Sequence, residues 1–116
     1  MKRVLLVDDE DVVRDALSLV FARTGVEVLT AATGQEAVDK YNEFRPEVVL
    51  LDVYLPDFNG TEVIRRFNES DHRAKVYFLS GNPEALGEQT PADLGAQAFL
   101  TKPVDIQYLR DLVVSV

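Results

Sequence analysis

The chain has 116 residues, the size of one ordinary domain and enough to bury a core without disulfide or metal staples. It contains no cysteine, which excludes disulfides, thiolate metal sites and cysteine nucleophiles. A net charge of -8 argues against nucleic-acid binding by this chain, since phosphate backbones reward basic surfaces, and suits cations or basic partner surfaces.

The N-terminus, Met1-Lys2-Arg3, is basic, but the apolar run that follows at residues 4–7 is too short for a signal sequence. No stretch is long enough to span a membrane, so the expected location is the cytoplasm. After the first run, Val13, Ala16, Leu17, Val20 and Phe21 recur at helical spacing, and Gly25 is a stop signal. The second run, residues 26–31, alternates in polarity and reads as an edge strand. Ala37, Val38, Tyr41 and Phe44 then line a helix that stops before Pro46.

Residues 48–51 are continuously apolar, and Val63, Ile64 and Phe67 line the helix after them. His72 sits between Asp71 and Arg73 in a polar connection and is expected to be exposed and chemically idle. Residues 76–79 form another continuous run and residues 98–100 a short last one. Ile106, Leu109, Leu112, Val113 and Val116 line the final helix.

The fourth helix is the irregular one. Gly87 costs about 1 kcal/mol relative to alanine inside a helix, and Pro91 costs roughly 3 kcal/mol or more. Only Ala85, Leu86, Ala92 and Leu94 are available there to bury. This helix is expected to be short, broken or displaced, with high mobility over residues 87–90.

Strand and helix thus alternate five times. That pattern implies a parallel sheet covered on both faces. The first, third and fourth strands should be central. The expected fold is α/β: a flavodoxin-like (βα)5 three-layer sandwich, with a five-stranded parallel sheet in the order 2-1-3-4-5. Ligands of such sheets bind beyond the carboxyl ends of the strands, at the switch point.

The residues at those strand ends carry chemistry. The first strand runs into Asp8-Asp9-Glu10-Asp11, the third into Asp52, the fourth into Ser80-Gly81, and the fifth into Thr101-Lys102-Pro103. Some of these acids also suit the start of a helix, Asp9 or Asp11 above all. Three converging carboxylates repel one another unless a cation lies between them. Hard oxygen ligands with room for water select magnesium. A cation, a hydroxyl and a lysine around one free carboxylate are what phosphoryl transfer to that carboxylate needs. Asp52 stands alone after its strand and is the candidate nucleophile. Asp8 and Asp9 form the metal-holding pair, and Ser80 and Lys102 bind phosphoryl oxygens.

The Asp8-Asp9 pair, Asp52 after an apolar strand, Leu55-Pro56, Asn59-Gly60, Ser80-Gly81 and the run from Phe99 to Pro103 follow one another in order, each group at a strand end or in the loop beyond it. On these features the chain resembles the response-regulator receiver domain of two-component signalling, chemotaxis regulators included. The likeness covers its whole length, read as one receiver domain over residues 1–116. The resemblance implies direct magnesium ligation by Asp9, Asp52 and the backbone carbonyl of Tyr54, with Asp8 acting through water. It implies a conformational switch built from Ser80 and Phe99. A cis peptide bond before Pro103 is expected because the lysine must turn back into the crevice, and because the family has one. The partners implied are a sensor histidine kinase or phosphotransfer protein as donor and an output domain or protein downstream. No nucleic acid or membrane is expected to bind this chain. In this family the fourth helix and the two elements after it form the usual dimer face. Gln97 and Ala98 stand where relatives often carry an acidic pair, so the unphosphorylated domain is expected to be a monomer.

Three rivals fit less well, and against one, a receiver-like binding module that is never phosphorylated, the intact set of five residues argues. A magnesium phosphatase of the haloacid-dehalogenase type needs a second aspartate two residues after its nucleophile, and Tyr54 stands there. A flavin carrier on the same fold needs a hydroxyl- and glycine-rich loop after the first strand, where four acids would repel phosphate. The expected activity is therefore not that of a turnover enzyme but slow self-phosphotransfer and autodephosphorylation.

Overall fold

Hydrophobic alternation along the strands divides the interior into two layers around one parallel sheet. The computed structural model describes residues 2–116. Its strands are β1 (Arg3–Val7), β2 (Glu27–Ala31), β3 (Val48–Asp52), β4 (Lys75–Ser80) and β5 (Ala98–Thr101). The helices between and after them are α1 (Asp11–Ala22), α2 (Gly34–Phe44), α3 (Gly60–Phe67), α4 (Pro91–Leu94) and α5 (Ile106–Ser115). All neighbouring strands pair in parallel, in the order β2-β1-β3-β4-β5. This is the doubly wound arrangement expected from the alternation of elements.

Leu5 and Val7 of β1, Val49 and Leu51 of β3 and Phe78 of β4 point to one face, where Tyr41 of α2 and Ile64 and Phe67 of α3 cover them. Val4, Leu6, Val48, Leu50, Tyr77 and Leu79 point to the other, under Leu17 and Phe21 of α1 and Leu109 and Val113 of α5. Every residue of β3 is buried. A central strand with cover on both sides has no solvent face, which is why its sequence shows no alternation. β2 lies at an edge, and its polar residues are the sign of it.

Three expectations need correction. Ile106 does not join the buried face of α5; it is half exposed, as is Val114 one side over. Ala16 is exposed on α1, while Leu17 and Phe21 carry the burial of that helix. His72 is not exposed but half-buried. Its Nε2 meets the carbonyl of Pro46, its ring tilts against Tyr41 at 5.2 Å, and its own carbonyl accepts the Tyr41 hydroxyl at 2.9 Å. An aromatic from α2 reaching across to this connection turns it into part of the core.

The fourth helix is short. Residues 83–88 form consecutive turns closed by bonds from Ala85 to Asn82, Gly87 to Glu84 and Gln89 to Leu86, with Gly87 at φ 63. Regular helix begins only at Pro91, which takes the first helical position, where its missing N–H costs nothing. Thr90 and Asp93 close a capping box around that start, and Gly95 ends the helix at positive φ. Pro91 therefore displaces the helix rather than merely kinking it.

Candidate functional site

The register of the sheet sets the strand ends level. Asp52 pairs with Leu79, and Ser80 pairs with Thr101. Asp8 follows β1 directly and is held to the edge strand by its amide, which donates to Ala31 at 3.1 Å. Asp8, Asp52 and Ser80 are the buried polar residues among those described. Buried polar groups away from function are rare and need partners, so three at one sheet edge mark a site.

Lys102 ties the acids together. Its Nζ donates to Asp8 Oδ2 at 2.9 Å and to Asp52 Oδ2 at 3.4 Å. Its position is fixed by its own amide, which donates to the Ser80 carbonyl at 2.8 Å, and the Lys102–Pro103 peptide bond is cis. Burial alone would lower the pKa of the ammonium. The hydrogen bond Lys102 donates to Asp8 and the charge of Asp52 outweigh it and hold Lys102 above its ordinary range. Asp52 moves the other way in charge preference. Burial raises its carboxyl above the ordinary range, Lys102 opposes this, and the charge of Asp8 adds to it. The site thus holds more negative charge than its one lysine offsets.

The remaining oxygens suit a hard cation. Asp8, Asp9 and Glu10 each offer a carboxylate oxygen, all within 4.8 Å of one another. Asp8 is buried and Asp9 and Glu10 are exposed, so the cluster has a fixed base and an open side. An all-oxygen set with room for water fits magnesium. Glu10 was not singled out from the sequence; its amide donates to Asp8 Oδ1 at 2.9 Å and brings its side chain round to the pair. Asp52 lies outside this cluster and is linked to Asp8 alone, through their shared contact with Lys102.

Ser80 is 1 % exposed, and its hydroxyl accepts the Asn82 amide at 3.1 Å. Tyr54 has its side chain half exposed, and its hydroxyl accepts from Asn82 Nδ2 at 3.1 Å, linking the loops after β3 and β4. Phe99 is half-buried on β5, opposite Phe78, and packs against the α2–α3 side of the core.

The loop after β3 is shaped by two residues that sequence reading passed over or treated only as a motif. Gly60 donates its amide to Val53 at 2.7 Å, and a Cβ there would lie 2.5 Å from the Asp52 carbonyl oxygen. Only glycine permits so close an approach. Asp57 accepts amides from Gly34 at 2.8 Å, Gln35 at 2.9 Å and Phe58 at 2.9 Å. What burial Asp57 has opposes ionisation, but these amides outweigh it and hold its carboxyl below the usual range. The only sequence signal for Asp57 is that of an ordinary turn residue, because its partners lie on another element.

Along one wall of the site, between α1 and α5, runs a groove of about 470 Å³ lined by Val13, Leu17, Lys102, Val104, Ile106 and Leu109 among others. No described helix is long and apolar enough to cross a membrane.

Comparison with known proteins gives a consistent result. A family described as the response regulator receiver domain matches residues 4–114. Sporulation initiation phosphotransferase F of Bacillus subtilis is 34% identical over 112 residues, which are 97% of this chain and 90% of that protein. Transcriptional regulatory protein TrcR of Mycobacterium tuberculosis is 36% identical over 107 residues, 92% of this chain but 42% of that protein. The chain thus spans nearly all of one relative and less than half of the other. Among solved structures, response regulator TrrA of Thermotoga maritima in complex with Mg(2+)-BeF superposes with a TM-score of 0.84 at 28% identity, covering 97% of this chain and 96% of that one.

Proposed function

The chain belongs to the response regulator receiver family, and from that premise we propose that Asp52 is its phosphoryl acceptor. A receiver domain is a phosphoacceptor signalling module. The observation that carries the assignment is the placement of Asp52: a buried carboxylate at the end of the central strand, 3.4 Å from Lys102, with Ser80 at the end of the next strand. A carboxylate oxygen attacks the phosphorus of a phosphohistidine on a sensor kinase or phosphotransfer protein. The oxygen–phosphorus bond forms as the nitrogen–phosphorus bond breaks, and the imidazole leaves with a proton from solvent. Lys102 draws negative charge from the equatorial oxygens, and the Ser80 hydroxyl, which only accepts from Asn82, donates its proton to one of them.

Asp8, Asp9, Asp52 and the carbonyl of Tyr54 would hold magnesium, Asp9 as a direct ligand and Asp8 through a water. Bound there, the ion neutralises charge that Lys102 alone does not. The all-oxygen cluster at Asp8 and Asp9 supports this, as does the magnesium complex of the relative TrrA. Autodephosphorylation is slow and uses the same residues, with no separate catalytic base. Ser80 and Phe99 relay the state of Asp52 to the output face, which meets a downstream domain or protein. The chain works in the cytoplasm, and before phosphorylation it is a monomer.

The test is intact mass after incubation with acetyl phosphate. The wild type gains one phosphoryl group, only with magnesium present, and Asp52→Ala gains none. A variant lacking Asp52 that still takes up the group would refute the assignment.

A further inference from the structure

We propose that Asp57 is a positioning residue for phosphoryl acceptance: it fastens the loop after β3 to the first turn of α2 and so keeps the Tyr54 carbonyl aligned with Asp52. This rests on the role given above to the Tyr54 carbonyl and goes beyond it by naming what holds that carbonyl still.

The loop is closed at its base and at its tip. At the base, Gly60 bonds Val53 at 2.7 Å, with no room for a side chain against the Asp52 carbonyl. At the tip, the Asp57 carboxylate spans the Gly34 and Gln35 amides at 2.8 and 2.9 Å. Phe58 beside it lies on Gly34, where a Cβ would fall within 2.6 Å of its ring. The Arg66 guanidinium covers that ring from α3 at 4.1 Å and bonds Glu62 at 3.0 Å. Tyr54 lies between these two closures.

α2 does not depend on Asp57 alone for its own start. The Thr33 hydroxyl accepts the Glu36 amide at 3.1 Å, and the Glu36 carboxylate reaches back to the Ala32 amide at 2.7 Å. The Thr33 side chain caps the helix, and Glu36 ties that turn to the residue before it. Gln35 is exposed, so water would serve its amide equally well, whereas Gly34 is buried beneath Phe58 and its amide relies on Asp57. The two bonds therefore join the first turn of α2 to the loop, and the one to Gln35 adds little to the helix itself. Removing Asp57 takes away the polar tie of residues 54–58 to α2 and leaves them held by the packing of Leu55 and Phe58 and by the Tyr54–Asn82 bond, and a metal-ligating carbonyl on a loosened loop binds less tightly.

The experiment is a magnesium chloride titration of the whole chain followed by amide NMR, alongside thermal melts. It uses the wild type, Asp57→Ala, Asp57→Asn and Thr33→Ala. Asp57→Ala should weaken magnesium binding on the order of tenfold. Asp57→Asn keeps the Oδ1 acceptor of Gly34 and Phe58 and should fall between that variant and the wild type. Thr33→Ala removes the helix's own cap without touching the loop; it should lower the melting temperature and leave magnesium affinity unchanged. If Asp57→Ala binds as the wild type does, or if Thr33→Ala weakens binding as much, the positioning role is overturned while the proposed function stands. If the wild type itself binds no magnesium, the proposed function fails and this inference fails with it.

Discussion

Lys102 Nζ lies 3.4 Å from Asp52 Oδ2, and this contact does not offset what burial costs the carboxylate. The Asp52 carboxyl stays above its ordinary range in the folded protein. Such a group binds protons more readily folded than unfolded. Its contribution to stability is complete below the unfolded pKa of about 3.9 and is lost as pH rises through the raised folded value. At neutral pH the charged Asp52 therefore works against folding. Asp52→Asn should raise the thermal midpoint at pH 7 without magnesium, and the gain should vanish below about pH 3.9. Melts across a pH series check this; equal midpoints at neutral pH would refute it.

Tyr41 serves two backbone groups at once. Its hydroxyl donates to the His72 carbonyl at 2.9 Å and accepts the Ala74 amide at 3.2 Å, while its ring stacks on Phe67 with centroids 3.9 Å apart. Tyr41→Phe keeps the stack and strands both backbone groups, at a cost of about 1–3 kcal/mol. Chemical denaturation measures the loss. An unchanged midpoint would mean that solvent reaches both groups.

The strand ends were legible because chemistry and topology coincide there. Residues 48–51 are apolar, Asp52 is the first charge after them, and only the sheet edge can accept it. The displaced fourth helix was legible for a similar reason, since Pro91 forbids helix before it on local grounds. What stayed hidden depended on contacts between elements. Asp57 bonds Gly34 and Gln35, 23 and 22 residues away, and nothing local marks that. His72 is drawn inward by Tyr41, 31 residues away. Ile106 has helical spacing that suits burial, but it stands at the N-terminal end of α5, over the open groove beside α1. Periodicity assigns a residue to a face, while the neighbours of that face decide whether it is covered.

The two neighbouring acids should separate in a magnesium titration. Asp8 is buried and already bonded to Lys102 and the Glu10 amide, whereas Asp9 is exposed beside it. A group acting through water costs on the order of tenfold in metal affinity when removed. Asp9→Ala should cost more than Asp8→Ala, and Asp8→Ala should cost more stability, because Lys102 loses its shorter contact. Calorimetry giving the reverse order of affinities would exchange their roles.

Ser80 ends the strand that lies between those of Asp52 and the half-buried Phe99. Its hydroxyl is 1 % exposed and engaged by the Asn82 amide at 3.1 Å. A phosphoryl oxygen on Asp52 would accept the proton of that hydroxyl and draw the Ser80 side chain toward it, pulling through the Asn82 amide on the loop after β4. The balance shifts by this differential contact. Ser80→Ala should still accept a phosphoryl group, yet the NMR shifts of residues around Phe99 should stop responding to a phosphoryl mimic. Equal responses in wild type and variant would remove Ser80 from the relay.

The glycines flanking the site make opposite demands. A Cβ on Gly60 would sit 2.5 Å from the Asp52 carbonyl oxygen and 3.1 Å from the Val53 Cα. Both are backbone atoms at the end of the central strand, so neither can swing aside as a side chain would. Gly60→Ala must push the start of α3 away from β3, which lengthens the 2.7 Å bond between Gly60 and Val53 and carries Tyr54 with it. Overpacking of this kind costs typically 1–3 kcal/mol. Gly81 has nothing within 4 Å of its would-be Cβ, although it follows Ser80 directly. Gly81→Ala should match the wild type in urea midpoint and in the rate of phosphorylation by acetyl phosphate. Gly60→Ala should lose on both, and the loss of rate should exceed what its unfolded fraction explains, because the acceptor strand itself has moved. If Gly81→Ala proves as damaging as Gly60→Ala, close backbone approach is not what selects glycine at position 60.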